Sequence, residues 1–118
     1  MVSEFSVGET SVGQGSIVLF SHVEEQGPMW TGEGPREVVR VVVFDAPFLS
    51  APAVHVGLGM WDIDCGTNNR ADLSVLDVTA VGFAVRFRTW GDTRIARLRV
   101  DWLAIGCRSY ADDFILSD

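Results

Sequence analysis

An all-β domain, folded as a six-stranded antiparallel sandwich, is what this sequence predicts, and three observations carry the prediction. Short runs alternate apolar and polar residues at period two, the pattern of strands with one buried face. Clusters of Gly, Pro, Asn and Asp separate those runs at the spacing of a sandwich. No stretch of a dozen residues keeps apolar positions at i, i+3, i+4 and i+7 behind a cap, so the helical period is missing.

The first strand is expected over residues 16–22, after the breaker Gly13-Gln14-Gly15. An irregular stretch over 23–35, rich in Gly and Pro, holds Trp30. The second strand spans 37–44 and stops before Pro47. The third, 53–62, sets Val54, Val56, Leu58 and Met60 on one face and His55, Gly57, Gly59 and Trp61 on the other. In the fourth, 71–78, Ala71, Leu73 and Val75 oppose Asp72 and Ser74. In the fifth, 81–90, Val81, Phe83, Val85 and Phe87 oppose Gly82, Ala84, Arg86 and Arg88. The sixth, 94–105, turns Leu98, Val100 and Trp102 away from Arg97, Arg99 and Asp101. Thr79-Ala80 is short enough for a hairpin link, although it lacks the Gly or Asn such turns prefer. The tail from Ser109 carries Tyr110 and Phe114 among acids.

Length and composition bound the function. With 118 residues, 47% of them apolar, the chain fills one core without disulfides or metal, and residues 1–118 read as one domain. No apolar run reaches the ~20 residues that cross a bilayer, so membrane insertion is not expected. The opening Met1-Val2-Ser3-Glu4-Phe5-Ser6 shows no basic n-region and no long apolar h-region. Synthesis in the cytoplasm follows, and action outside the cell or on a particle surface requires another route. A net charge of −7 with interspersed acids argues against nucleic acid, which needs a clustered basic surface. The basic residues are all arginine, a bias expected of the source genome's composition.

Metal and catalytic readings find little support. Cys65 and Cys107 fit no zinc spacing, and whether they are bonded to each other stays open. The run Asp62-Ile63-Asp64-Cys65-Gly66-Thr67-Asn68 echoes a calcium loop, but its glycine comes one place early and no glutamate closes it. A turn capped by its own side chains is the expectation there. There is no Gly-x-Ser-x-Gly and no His-Glu-x-x-His, and neither His22 nor His55 sits in a catalytic motif. No carboxylate pair can be singled out for glycoside hydrolysis. The expectation is a protein without catalytic residues, metal or cofactor.

Two side chains point away from the core. If Phe83, Val85 and Phe87 are buried, Trp90 falls on the opposite face at its strand's end, beside Gly91. An exposed indole beside a small residue offers a flat surface suited to the C–H face of a sugar ring. The competing reading packs Trp90 under a loop or in a subunit contact. Arg70 is likewise turned outward at the start of the fourth strand, after Thr67-Asn68-Asn69. Its five donors beside two amides make a clamp for vicinal hydroxyls, against the alternative of an ordinary solvated arginine.

From Val38 onward the chain resembles the H-type lectin domain of snail agglutinins and discoidins, over a core of residues 38–106. The stretch from Phe48 to Leu58 is similar to the family's F-x-x-x-P-x-V-x-V-x-L, and Asp62 stands at its following aspartate. Asn68-Asn69-Arg70 resembles N-x-R, and Val78-Thr79-Ala80-Val81-Gly82-Phe83 resembles V-T-x-x-G-F. Thr89-Trp90-Gly91-Asp92-Thr93 looks like T-W-x-x-T, and Trp102-Leu103-Ala104-Ile105-Gly106 like W-x-A-I-G. In order and at matching spacing they form a strong signal, flanked by an N-terminal strand and loop (1–37) and a C-terminal tail (107–118). The resemblance implies a homotrimer, sometimes paired into a hexamer, that binds glycans of N-acetylgalactosamine or galactose type at clefts between protomers. It implies Glu33, Asn69, Arg70, Trp90 and Gly91 as carbohydrate-binding positions. Gly91 stands where the snail proteins stack a histidine on sugar, and Ala96 replaces an aromatic, which puts the galactose preference in doubt. A trimerising attachment domain of a spike or fibre on a phage-like particle, with weak or no sugar binding, is the second reading. His55 and Trp61, with Arg97, Arg99 and Asp101, are the expected subunit surface. Disrupting Arg97 or Arg99 is then expected to lower the oligomer mass.

Overall fold

The computed structural model describes residues 10–22 and 26–108. Among them six strands form two antiparallel sheets: β1 (Thr10–Ser21), β2 (Arg36–Val43), β3 (Ala53–Ile63), β4 (Asp72–Leu76), β5 (Gly82–Thr89) and β6 (Ile95–Cys107). One sheet has the order β1-β6-β3, the other β2-β5-β4. One helical turn, α1 (Pro28–Thr31), interrupts the β1–β2 connection. Tyr110 and Phe114 of the tail lie outside the described residues.

The central strands supply most of the core. Phe83, Val85 and Phe87 of β5 and Leu98, Val100 and Ala104 of β6 are buried, each set on alternate residues of a pleated strand. Phe44, Phe48 and Met29 close the space between the sheets, with Val38, Val42, Leu73 and Val75 packed against them. The rings meet edge-on: Phe44 and Phe48 are 5.0 Å apart at 82°, Phe83 and Trp102 5.5 Å apart at 70°. That geometry adds about 1 kcal/mol per pair beyond the buried area.

Three irregularities depart from strict alternation. The β1–β6 register shifts between Val18 and Phe20, which turns both Leu19 and Phe20 inward. The β3–β6 register shifts at Gly59 and again opposite Ala96. Trp61 therefore leaves the outer face expected of it and packs on Phe87, 6.0 Å away and nearly edge-on, while Leu58 is left exposed beside the bulge. Trp61 is thus partly buried against the core rather than turned fully outward. Strand β1 also begins six residues earlier than the sequence suggests. Gly13-Gln14-Gly15 does not break it, because the indole of Trp102 lies where a Gly15 Cβ would stand, 2.8 Å from its Nε1.

Several outward polar residues of β3 and β6 are paired within their own sheet, although the Arg99 Nε is buried without a hydrogen-bond partner among the described residues. Arg97 pairs with Asp62 at 3.0 Å and Arg99 with Asp101 at 3.3 Å. Ser16 Oγ donates to Asp101 at 2.7 Å. Among the described residues Cys65 and Cys107 are both free thiols.

Candidate functional site: the rim where three connections meet

Strands β3 and β5 end, and β4 and β6 begin, at one end of the sandwich, where the loop leading into β2 also arrives. Three connections converge there: 32–35, 64–71 and 90–94. Alternation along β5 buries Thr89, which is 1% exposed, and Thr93 across the turn is fully buried. A buried hydroxyl must find partners, and both find them in the β3–β4 connection. Thr89 Oγ1 donates to the Arg70 carbonyl at 2.5 Å. The Arg70 amide donates to Thr93 Oγ1 at 3.1 Å, and Thr93 Oγ1 donates to the Asn68 carbonyl. The two threonines thus fix the backbone that carries Asn69 and Arg70.

The Arg70 side chain lies against Gly91. A Cβ at Gly91 would meet Arg70 Nη1 at 3.0 Å and Cζ at 3.2 Å, and Gly91 has φ +71°. Both facts favour glycine here, since a side chain there would be strained and would displace the guanidinium. Arg70 Nη1 donates to Asp92 Oδ1 at 2.7 Å, and the Asn68 amide donates to the same carboxylate at 3.3 Å. The expected clamp is therefore closed on Asp92 in this chain, with further Arg70 donors left over.

A second arginine holds the loop before β2. Arg36 Nε donates to the Gly34 carbonyl at 2.9 Å and Nη2 to the Gly91 carbonyl at 3.2 Å. The Gly34 amide donates to the Gly91 carbonyl at 2.9 Å. Burial lowers the Arg36 guanidinium from its ordinary value, and the Glu33 charge nearby pulls it back. Glu33 itself is exposed on this loop, and Asn69 is exposed on the neighbouring one.

Trp90 projects outward, 45% exposed. It forms one wall of an open pocket of about 590 Å³ on the outer face of the β2-β5-β4 sheet, with Pro35, Arg36, Glu37, Asp72, Arg86, Arg88 and Thr89. The five sequence-predicted positions thus share one end of the molecule, but only Trp90 lines this pocket. Ala96 is not on the rim: it is 6% exposed at the register shift inside the sheet. Sequence reasoning gave no role to Thr89, Thr93, Asp92 or Arg36. Only Thr89 carried a readable signal, since alternation after Val85 and Phe87 turns it inward. Among the described residues no group of three or more His, Cys, Asp or Glu side chains could hold a metal ion.

The Arg70 hydrogen bond, helped by Asn68, holds the Asp92 carboxyl below its ordinary value. A depressed folded value means the pair is intact above the unfolded carboxyl's pKa and is lost as pH falls through the folded one. Asp92 should therefore titrate below the usual carboxylate range, and Arg70→Ala should move it back toward that range. Carboxyl carbon chemical shifts followed against pH would read this directly. An unshifted Asp92 in the unsubstituted chain would rule out the pair in solution.

A small antiparallel β-sandwich with an exposed tryptophan and a held arginine on one rim has the form of a lectin-like domain. The H-type lectin domain family model matches residues 39–105, more than half of the chain. The protein belongs to the H-type lectin domain family. It is 56% identical over 102 residues to "ATP synthase subunits region ORF 7" of Fuscovulum blasticum, covering 86% of this chain and 87% of that protein. It is 32% identical over 102 residues to discoidin-2 of Dictyostelium discoideum, covering 84% of this chain but only 34% of that one. The structure of recombinant discoidin II from Dictyostelium discoideum superposes with a TM-score of 0.74 at 27% identity, over 92% of this chain and 41% of the other. The tailspike protein gp49 of Pseudomonas phage LKA1 shares the fold at a TM-score of 0.51 and 14% identity, over 85% of this chain and 15% of its own.

Proposed function

We propose that this chain is a glycan-binding module whose site is the rim carrying Glu33, Asn69, Arg70, Trp90 and Gly91, at a cleft completed by a neighbouring copy in a trimer. The observation that carries the reading is Trp90, a largely apolar ring left in water on a rim whose backbone is immobilised by buried threonines. A rigid aromatic face beside an arginine and exposed amide and carboxylate groups suits a saccharide, which presents C–H faces and vicinal hydroxyls together. The H-type lectin fold supports it. Loss of the stacking histidine at Gly91 weakens the case for a strictly galactose-type ligand. A single shallow site of this kind binds weakly, and a trimer's repeated sites strengthen binding to a surface by raising the effective concentration.

The assembly reading rests on the outer face of the β2-β5-β4 sheet rather than on the charged residues of β6. Val39, Val41 and Val43 project in a row from β2, and Val81 stands exposed just before β5. Val41 lies beside Ala84, which lies beside Leu76, so the middle of this face is apolar across all three strands. The same face favours the second reading, a trimerising attachment domain, and the two roles are compatible.

A broad glycan array, probed with the unsubstituted protein and with Trp90→Ala and Arg70→Ala, tests the proposal. Binding to a defined glycan is expected, reduced about tenfold or more by Trp90→Ala, the effect of losing about 1.4 kcal/mol of stacking. Arg70→Ala should remove it as well, with the oligomer mass unchanged. Silence across a diverse array by an intact oligomer would leave the attachment role in its place.

A further inference from the structure

The pocket beside Trp90 holds three guanidinium groups, and their surroundings differ. Arg36 is engaged on backbone carbonyls. Arg88 stands between two acids, with Glu37 across from it on β2 and Asp72 on β4, and its Nε donates to Asp72 at 3.0 Å. Arg86, one outward position further along β5, has Val39 on one side and Ser74 on the other, and no acid in its row. Its Nε and the Ser74 hydroxyl are both buried from solvent with no hydrogen-bond partner among the described residues. Neighbouring polar groups left unsatisfied in this way are costly, because each has given up water without a replacement. Neither atom opens to the pocket, so it is the terminal Nη groups of Arg86, which lines the pocket with no acid in its row, that are placed to meet an acceptor there.

Resting on the glycan-binding reading, we infer that Arg86 forms a subsite for the carboxylate of an acidic sugar residue, within an oligosaccharide whose neighbouring ring stacks on Trp90. The planar guanidinium matches a carboxylate in paired hydrogen bonds, and a neutral hydroxyl offers no such match. Arg86 and Trp90 face the same side of β5 four residues apart, about 13 Å along an extended strand, a distance that needs more than one sugar ring. A pocket of about 590 Å³ accommodates such a ligand. Charge limits the ligand as well. Three arginines against Glu37 and Asp72 leave one positive charge in the pocket, and the chain as a whole carries −7. A single carboxylate among neutral sugars fits that balance, and a densely sulfated polyanion does not.

The test is an array of galacturonate- and glucuronate-containing oligosaccharides, each printed beside its carboxyl-reduced counterpart and a sulfated one. The acidic member should bind about tenfold tighter than its reduced partner, the effect of one charge-assisted hydrogen bond. Arg86→Gln should equalise the two, and Arg86→Lys should retain part of the preference. Trp90→Ala should weaken both members of a pair. Equal binding to acidic and reduced partners, preference for the sulfated member, or a preference that survives Arg86→Gln would each overturn the subsite. So would an Arg86→Gln chain of lower oligomer mass and unaltered sugar selectivity, because the acceptor would then belong to a second copy. Neutral glycans bound without acid preference would leave the lectin reading standing, whereas no binding to any member would remove both.

Discussion

Gly82→Ala should lower the melting temperature by roughly 10 °C or more, corresponding to about 2–3 kcal/mol for a domain of this size. A Cβ at Gly82 would stand 2.3 Å from the Val42 carbonyl oxygen and 3.3 Å from the Val42 carbonyl carbon and the Val43 Cα. These are backbone atoms of β2, so no rotamer change relieves the contact. Strand β2 must shift away from β5, and the amide of Phe44, which donates to the Val81 carbonyl at 2.9 Å, shifts with it. Phe44 in turn packs on Phe48, Phe83 and Trp102, so the displacement reaches the aromatic end of the core. Gly57→Ala is the matched control: nothing lies within 4 Å of its Cβ position, and a strand alanine there should be neutral or slightly stabilising. Thermal unfolding of both variants decides the matter. A shift of only a degree or two for Gly82→Ala would mean that the two strands are not held so closely in solution.

The fold was legible where a period of two persists, and illegible where one residue interrupts it. Phe83, Val85 and Phe87 announce their face because nothing breaks β5, and the exposed Trp90 follows by counting. In β3 the bulge at Gly59 inverts the count, so Trp61, four residues from a correctly placed Gly57, turns to pack against the core. An isolated glycine in a strand is consistent with a bulge, but Gly57 and Gly59 look alike in sequence and only one of them is the irregular residue. Gly13 and Gly15 mislead in the opposite sense: they read as a breaker, yet they admit the Trp102 ring, whose place is set by a strand nearly ninety residues away.

The rim shows the same division. Arg70 and Trp90 were visible through their order and spacing in family motifs. The groups that hold them were not, because Arg36 reaches Gly91 and Thr93 reaches Asn68 only through folding of the whole chain. The orphaned Arg86 was also beyond reach. Alternation placed it outward beside Arg88, but only the strand order shows that Arg88 has an acid on each side and Arg86 has none.

On the proposed trimeric reading, a glutamate in place of Val41 should leave a single chain of 12.9 kDa. Val41 is 70% exposed and Val43 71%, an unusual exposure for adjacent outward positions of one strand, and continuous apolar patches of this kind mark association surfaces. In a three-fold assembly each copy would place Val41 against apolar side chains of the next, and a carboxylate there would be desolvated without a partner. That costs roughly 3–5 kcal/mol per contact, or about a hundredfold or more in the dissociation constant. Within one chain the same substitution is close to neutral, because the position faces water and lies beside Ala84. Light scattering coupled to size exclusion should therefore report the monomer mass with an unchanged circular dichroism spectrum. Arg97→Glu supplies the contrast: Arg97 is paired with Asp62 in its own sheet, so its loss should leave the mass unaltered. The reverse outcome, an oligomer that survives Val41→Glu and dissociates on Arg97→Glu, would move the interface to the β1-β6-β3 sheet. A monomeric unsubstituted protein would mean that the rim around Trp90 must act without a neighbouring copy to complete it.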